Sequence, residues 1–157
     1  MLTTESLKKI DREIAKYPPE QKRSAVMSAL IVAQDEKGWL SNETMDFVAE
    51  YLGMAPVAVY EVASFYSMYN LRKTGEYKLT LCTCLPCGLQ GALAAADHLR
   101  EKLGIDFNQT TRDGRFTLKE GECMGACAMA PVLLVNNKQM HDYMSNEKLD
   151  QLIEGLK

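Results

Sequence analysis

Tyr77-Lys78-Leu79-Thr80-Leu81-Cys82-Thr83-Cys84-Leu85-Pro86-Cys87 is the run whose reading decides the fold. Residues 77–81 read as a strand, and the residues beyond Cys87 read as a helix near 89–103, so a cysteine-bearing loop joins strand to helix. Cys82 and Cys87 form a C-x4-C pair, and after 35 intervening residues Cys123 and Cys127 form a C-x3-C pair. Two close pairs in two short loops can place four sulfurs around one small inorganic centre. Thiolates suit soft or borderline centres such as iron–sulfur clusters and zinc. The second pair lies in Glu122-Cys123-Met124-Gly125-Ala126-Cys127-Ala128-Met129-Ala130-Pro131. Its small residues let backbone curl close to a centre and turn amide N–H groups toward sulfur. Zinc is the alternative occupant, although its common sites use C-x2-C pairs.

Working outward, the second half alternates. Leu89, Leu93, Ala96 and Leu99 make a buried stripe on the helix, and Gly104 closes it. Asp113-Gly114 marks a turn before a strand over 115–119. Residues 132–135, the turn Asn136-Asn137 and a strand through Met140 read as a hairpin. Ser145 caps a last helix that runs to about Leu156. This β-α-β-β-β-α order suggests a small mixed sheet with helices packed on it, a thioredoxin-like layout.

The first half reads as consecutive helices. Leu7, Ile10 and Ile14 recur at helical spacing until Pro18-Pro19. A second helix fits 23–36, with Val26, Met27, Leu30 and Ile31 on one face. Ser41 caps a third, whose Met45, Val48, Ala49 and Leu52 face inward before Gly53. A fourth starts at Pro56 and runs to about Tyr69, carrying an aromatic cluster of Phe65, Tyr66 and Tyr69. The fold class is therefore α+β: a helical bundle over 1–75, then a thioredoxin-like α/β domain over 76–157. The polar stretch 72–76 is the boundary.

The chain has 157 residues, 46% of them hydrophobic, and a formal charge of −3. Residues 1–75 carry 9 basic and 10 acidic side chains, residues 76–157 carry 9 and 11, so neither half attracts nucleic acid or an anionic membrane. Val48–Val57 has the look of a helix-turn-helix, but the following helix carries no Lys or Arg, which excludes base and phosphate reading. No apolar run approaches the roughly 20 residues of a spanning helix, and the N-terminus has no signal-peptide pattern. Five cysteines in such a chain favour metal ligation over disulfides and place it in a reducing cytoplasm.

Cys84 opens a second reading. Cys84-Leu85-Pro86-Cys87 is a C-x-x-C at a helix start, where thiol–disulfide oxidoreductases keep theirs. It leaves Cys123 and Cys127 without a role. His98 and His141 lie away from the cysteines in sequence, so a Rieske-type site is not expected. No motif of nucleotide binding or nucleophilic catalysis occurs, and no substrate site is expected on this chain alone.

Val59-Tyr60-Glu61-Val62-Ala63-Ser64-Phe65-Tyr66, the C-x4-C pair, Asp113-Gly114-Arg115-Phe116, the C-x3-C pair and Ala130-Pro131 together resemble the 24 kDa family (the bacterial E subunits) of respiratory NADH:quinone oxidoreductase, complex I. The resemblance covers nearly the whole chain. It implies a thioredoxin-like ferredoxin domain with one [2Fe–2S] cluster held by Cys82, Cys87, Cys123 and Cys127, and a helical bundle that docks on the flavin-bearing, NADH-oxidising partner (the bacterial F subunit). It further implies that FMN and NADH sit on that partner, that single electrons are exchanged with the flavin, and that the complex lies on the cytoplasmic side of a bacterial inner membrane. Similar subunits occur in NAD-linked hydrogenases and formate dehydrogenases. Cys84 departs from the family pattern, which needs no cysteine there. Backbone amides near Gly88 and Gly125 are the expected donors to the cluster sulfurs.

Overall fold

The computed structural model describes residues 1–156 and divides into two compact units, Met1–Lys73 and Thr74–Lys157. The first unit is helical: α1 (Thr4–Ile14), α2 (Val26–Lys37), α3 (Asn42–Leu52) and α4 (Pro56–Phe65). Ile10, Ala29, Leu30, Met45, Val48, Leu52 and Val59 fill its core. Ser41 caps α3 by accepting the Thr44 N–H at 3.2 Å, and Met45, Val48, Ala49 and Leu52 are buried as their spacing predicts. The Tyr51 hydroxyl ties α3 to α1 by donating to Asp11 Oδ1 at 2.6 Å.

Three details of this unit differ from expectation. The second helix starts at Val26, because Pro19–Ala25 forms a 3-10 segment in which Gln21 (φ −105°, ψ 19°) leaves the helical path. Its buried face is Val26, Ala29, Leu30 and Ala33, whereas Ile31 is exposed; small alanines allow the close helix contact that larger side chains do not. The fourth helix stops at Phe65, four residues early, where Tyr66 turns extended (φ −92°, ψ 122°). Tertiary bonds outweigh helical propensity there: the Tyr69 hydroxyl donates to the Met27 carbonyl at 3.0 Å, and the Asn70 N–H donates to Gln34 Oε1 at 2.6 Å. Tyr69 is thereby buried, while Phe65 stays 80% exposed.

The start of α1 is held by a carboxylate. Thr3 donates to Glu36 Oε2 from both its N–H and its hydroxyl at 2.9 Å. The Ser6 hydroxyl, the Thr3 N–H and the Lys37 ammonium bring the Glu36 carboxyl down to about 2 from 4.5. A depressed carboxyl contributes stability that is complete above its unfolded value and disappears as pH falls through its folded one. Thermal unfolding of the wild type should thus lose stability between about pH 5 and pH 2 more steeply than Glu36→Gln. Parallel melting curves for the two over that range would refute this.

The second unit is a five-stranded mixed sheet in the order β2-β3-β1-β4-β5, built from β1 (Tyr77–Cys82), β2 (Gln109–Thr110), β3 (Phe116–Gly121), β4 (Leu133–Val135) and β5 (Gln139–His141). β1 and β3 are parallel neighbours in the register Tyr77↔Phe116 through Cys82↔Gly121; β4 runs antiparallel to β1. Because side chains alternate along a strand, Leu79, Leu81, Leu118, Leu133 and Val135 share one face. α6 (Ala92–Leu103) and α7 (Asn146–Gly155) supply Ala95, Ala96, Leu99 and Leu149 to the same core. Lys78, Thr80 and Cys82 therefore share the other face with Thr117, Lys119 and Gly121.

The expected helix over 89–103 is two helices, α5 (Leu85–Leu89) and α6, separated at Gly91 (φ 96°). The break takes Leu89 out of line with α6; within α6 the buried face is Ala92, Ala95, Ala96 and Leu99, and Leu93 lies off it, exposed like Leu89. β2, at the sheet edge, is too short for a periodic signal and was not expected from sequence. The hairpin loop is three residues, 136–138: Asn136 and Asn137 both take positive φ (51° and 58°), and the Lys138 N–H donates to the Val135 carbonyl at 3.0 Å. Ser145 caps α7 by accepting the Lys148 N–H at 3.3 Å. Among the described residues no helix is long and apolar enough to cross a membrane.

Candidate metal centre

The parallel pairing of β1 and β3 explains how cysteine pairs with 35 residues between them come together. Both strands end at the same rim of the sheet, and each releases one cysteine loop there. Cys82 is the last residue of β1, buried, with its N–H donating to the Val132 carbonyl at 3.1 Å. Cys84 occupies the N-cap position of α5, and Cys87 is buried within α5. Beyond β3 the chain exposes Cys123, and Cys127 opens a short 3-10 turn over Cys127–Met129. The Ala130–Pro131 peptide that follows is cis. All five cysteines are free thiols.

The electrostatics show how close the sulfurs lie. Burial pulls the Cys82 thiol up, but the Cys84 N–H, the Cys87 thiol and the Met124 N–H outweigh it, and the net direction is down. Burial pushes Cys87 up to about 12, reinforced by its bond to Cys82 and by the charges of Cys82, Cys127 and Cys123. Cys84 is raised by burial, then by Cys82, Cys123 and Glu122. Thiols of both loops thus act on one another, and the second loop reaches the first through the Met124 amide. Cys82, Cys87, Ala92 and Ala130 pack as a small apolar cluster, with Cys84 and Met124 against it.

One expected donor is present and one is not. The Gly125 N–H, with Gly125 left-handed at φ 71°, lies 3.4 Å from Cys123 Sγ. The Gly88 N–H is engaged by the Cys84 carbonyl at 2.9 Å within α5 and is not available to sulfur. The amides of Cys84 and Met124 take its place at Cys82. The sequence gives no direct sign of these, since backbone amides carry no residue signature. Gly121 was also overlooked, although its place opposite Cys82 makes it the closest-packed glycine of the rim: an added Cβ would sit 2.8 Å from Thr80 Cγ2.

His98 bonds Asp150 Oδ1 at 2.9 Å and His141 lies in β5, so neither joins the cysteines. Among the described residues no group of three or more His, Cys, Asp or Glu side chains is closed round a single point. The donor set fits a binuclear iron–sulfur cluster: four thiols in two pairs on two loops, with amide N–H groups turned toward two of the sulfurs.

The chain is 44% identical over 142 residues to the E subunit of NADH-quinone oxidoreductase from Rickettsia felis, covering 90% of this chain and 84% of the relative. It is 40% identical over 148 residues to NADH-quinone oxidoreductase subunit 2 of Thermus thermophilus, covering 94% and 82%. The crystal structure of an NAD+-reducing [NiFe]-hydrogenase in its H2-reduced state superposes with a TM-score of 0.70 at 21% identity, over 81% of this chain and 22% of that one, a likeness of fold. Residues 10–157 match the family model of the thioredoxin-like [2Fe-2S] ferredoxins, and the chain belongs to that family.

Proposed function

We propose that this chain is the [2Fe–2S] electron-transfer subunit of an NADH:quinone oxidoreductase, exchanging single electrons with the flavin of an NADH-oxidising partner. The observation that carries the reading is the gathering of two cysteine pairs at the common rim of β1 and β3. Cys82 and Cys87 hold the cluster from the first loop, Cys123 and Cys127 from the second. Bound there, the group supplies one-electron chemistry at a formal charge of about −2 that becomes about −3 on reduction. The amides of Cys84, Met124 and Gly125 offset part of that charge at the sulfurs. FMN and NADH belong to the partner, the F subunit in bacterial terms, and the assembly works at the cytoplasmic face of the membrane. Iron and acid-labile sulfide analysis of anaerobically purified protein, with EPR after dithionite, tests the reading. About two of each per chain and a spin-half signal on reduction are expected; zinc alone, or no metal, would overturn it.

Residues 1–75 serve in this reading as the docking unit. What supports it is the exposure of large apolar side chains on α4 and at its end: Val57, Tyr60 and Phe65, the last 80% exposed. Aromatic anchors of this kind concentrate binding energy. Phe65→Ala is expected to weaken binding to the flavin-bearing partner by about tenfold or more, with the melting temperature of the free chain unchanged. Equal affinity in a pull-down or calorimetric titration would remove Phe65 from the interface.

A further inference from the structure

The face of the sheet that carries Cys82 also carries two lysines, an arrangement that β-sheet register makes unambiguous. Side chains two apart on a strand share a face, so Lys78, Thr80 and Cys82 point the same way from β1. The pairing Thr80↔Lys119 and Cys82↔Gly121 puts Lys119 on that face from β3, two residues before the rim. Lys78 is 2% exposed and Lys119 is partly buried. Thr110, Thr117 and Leu134 are their strand neighbours on this face. The acidic residue of β3, Glu120, pairs with Leu81 and so belongs to the opposite set, and its carboxylate accepts from the Thr83 hydroxyl at 2.7 Å.

Lysine is among the residues least often buried in proteins, and here two share one face of the sheet. Burial, then the Lys119 ammonium, brings Lys78 down to about 8, and burial lowers Lys119. Lys78 is thus mostly protonated at neutral pH, and both lie where surrounding protein screens charge less than water does.

We propose that Lys119, and more weakly Lys78, set the reduction potential of the cluster by holding positive charge on the Cys82 face of the sheet. The inference rests on the cluster reading above. One electron added at the rim is attracted by each ammonium, so the lysines favour the reduced form. Strand geometry puts the Lys119 backbone on the order of 10 Å from that of Cys82, and Lys78 further back. At an effective dielectric of about 20, one charge at that range alters the equilibrium constant for reduction by roughly tenfold, about 59 mV for a one-electron couple.

The test is a mediated redox titration followed by EPR on the full-length holoprotein, after iron and sulfide analysis of each sample. Lys119→Met is expected to keep its iron and to become roughly tenfold harder to reduce. Lys119→Arg, which keeps the charge, is expected to titrate with the wild type, and Lys78→Met to shift the same way by less. A full-iron Lys119→Met with an unmoved potential overturns the proposal. So does a Lys119→Arg shifted as far as the methionine variant, because packing would then be the cause. Where Lys119→Met fails to load, Lys78→Met decides, and an unmoved potential there overturns the proposal. Absence of iron and sulfide from the wild type would instead overturn the cluster reading itself, so the two failures are distinguishable.

Discussion

Cys123→Ser is expected to bring iron and sulfide from about two each per chain toward zero, or to leave a grossly altered spectrum, while far-UV circular dichroism keeps the helical signal. Cys123 reaches the site from an exposed loop and is steadied there by the Gly125 N–H at 3.4 Å. Serine keeps the size of the side chain and removes the soft donor that iron prefers. α1 to α4 pack round a core of their own, with Ile10, Leu30, Val48 and Val59 at its centre, which is why their folding is expected to survive. Cys84→Ser is the control. Cys84 touches Cys82, but its backbone alone forms the N-cap of α5, so the variant is expected to load fully. A normal spectrum in Cys123→Ser, or a lost one in Cys84→Ser, would reassign the ligands toward a Cys84-containing set.

Gly121→Val is expected to be the next most damaging change. A Cβ at this position meets Thr80 Cγ2 at 2.8 Å, Met124 Cε at 2.9 Å and the Leu81 carbonyl oxygen at 3.2 Å. The methionine tip can swing away, but Thr80 is β-branched and stiff, and the carbonyl belongs to the central strand. Valine adds two further methyl groups to that contact. Overpacking of this kind costs about 1–3 kcal/mol. Here it also pushes the end of β3 off β1, and with it the loop that carries Cys123 and Cys127. Urea unfolding should show the loss of stability, and iron content should fall in the same variant. Retention of both would mean that the rim tolerates displacement and that sulfur placement does not depend on the register Cys82↔Gly121.

Much of this architecture was legible because local signals agreed with one another. Around α3, Ser41, the inward set from Met45 to Leu52 and Gly53 all mark the same helix, and the hairpin was marked by Asn136-Asn137. The misreadings fall where a distant contact decided. Nothing local to Tyr66 stops α4; the partners are the Met27 carbonyl and Gln34, more than thirty residues away. In α5 and α6 the leucines suggested one stripe, but Gly91 ends the alignment of Leu89 with α6, and the face of α6 that packs is the alanine-rich one. For the centre, the four cysteines proposed as ligands could be read from spacing. The amides of Cys84 and Met124 could not, because they become donors only when the two loops meet. Lys78, Thr80 and Cys82 alternate visibly in sequence, but Lys119 joins their face only through a parallel register that no local pattern specifies.

The parallel neighbours β1 and β3 also impose an order of events on biogenesis. Their contact is non-local, bridged by two helices and a short edge strand, and such pairings are made late and slowly in folding. Until they are made, the nascent chain offers an iron–sulfur donor one pair of thiols at a time, with no second pair to receive the other iron. With the proposed ligand set, cluster delivery is expected to follow sheet closure, and a chain stalled before closure to be a poor acceptor however many cysteines it exposes.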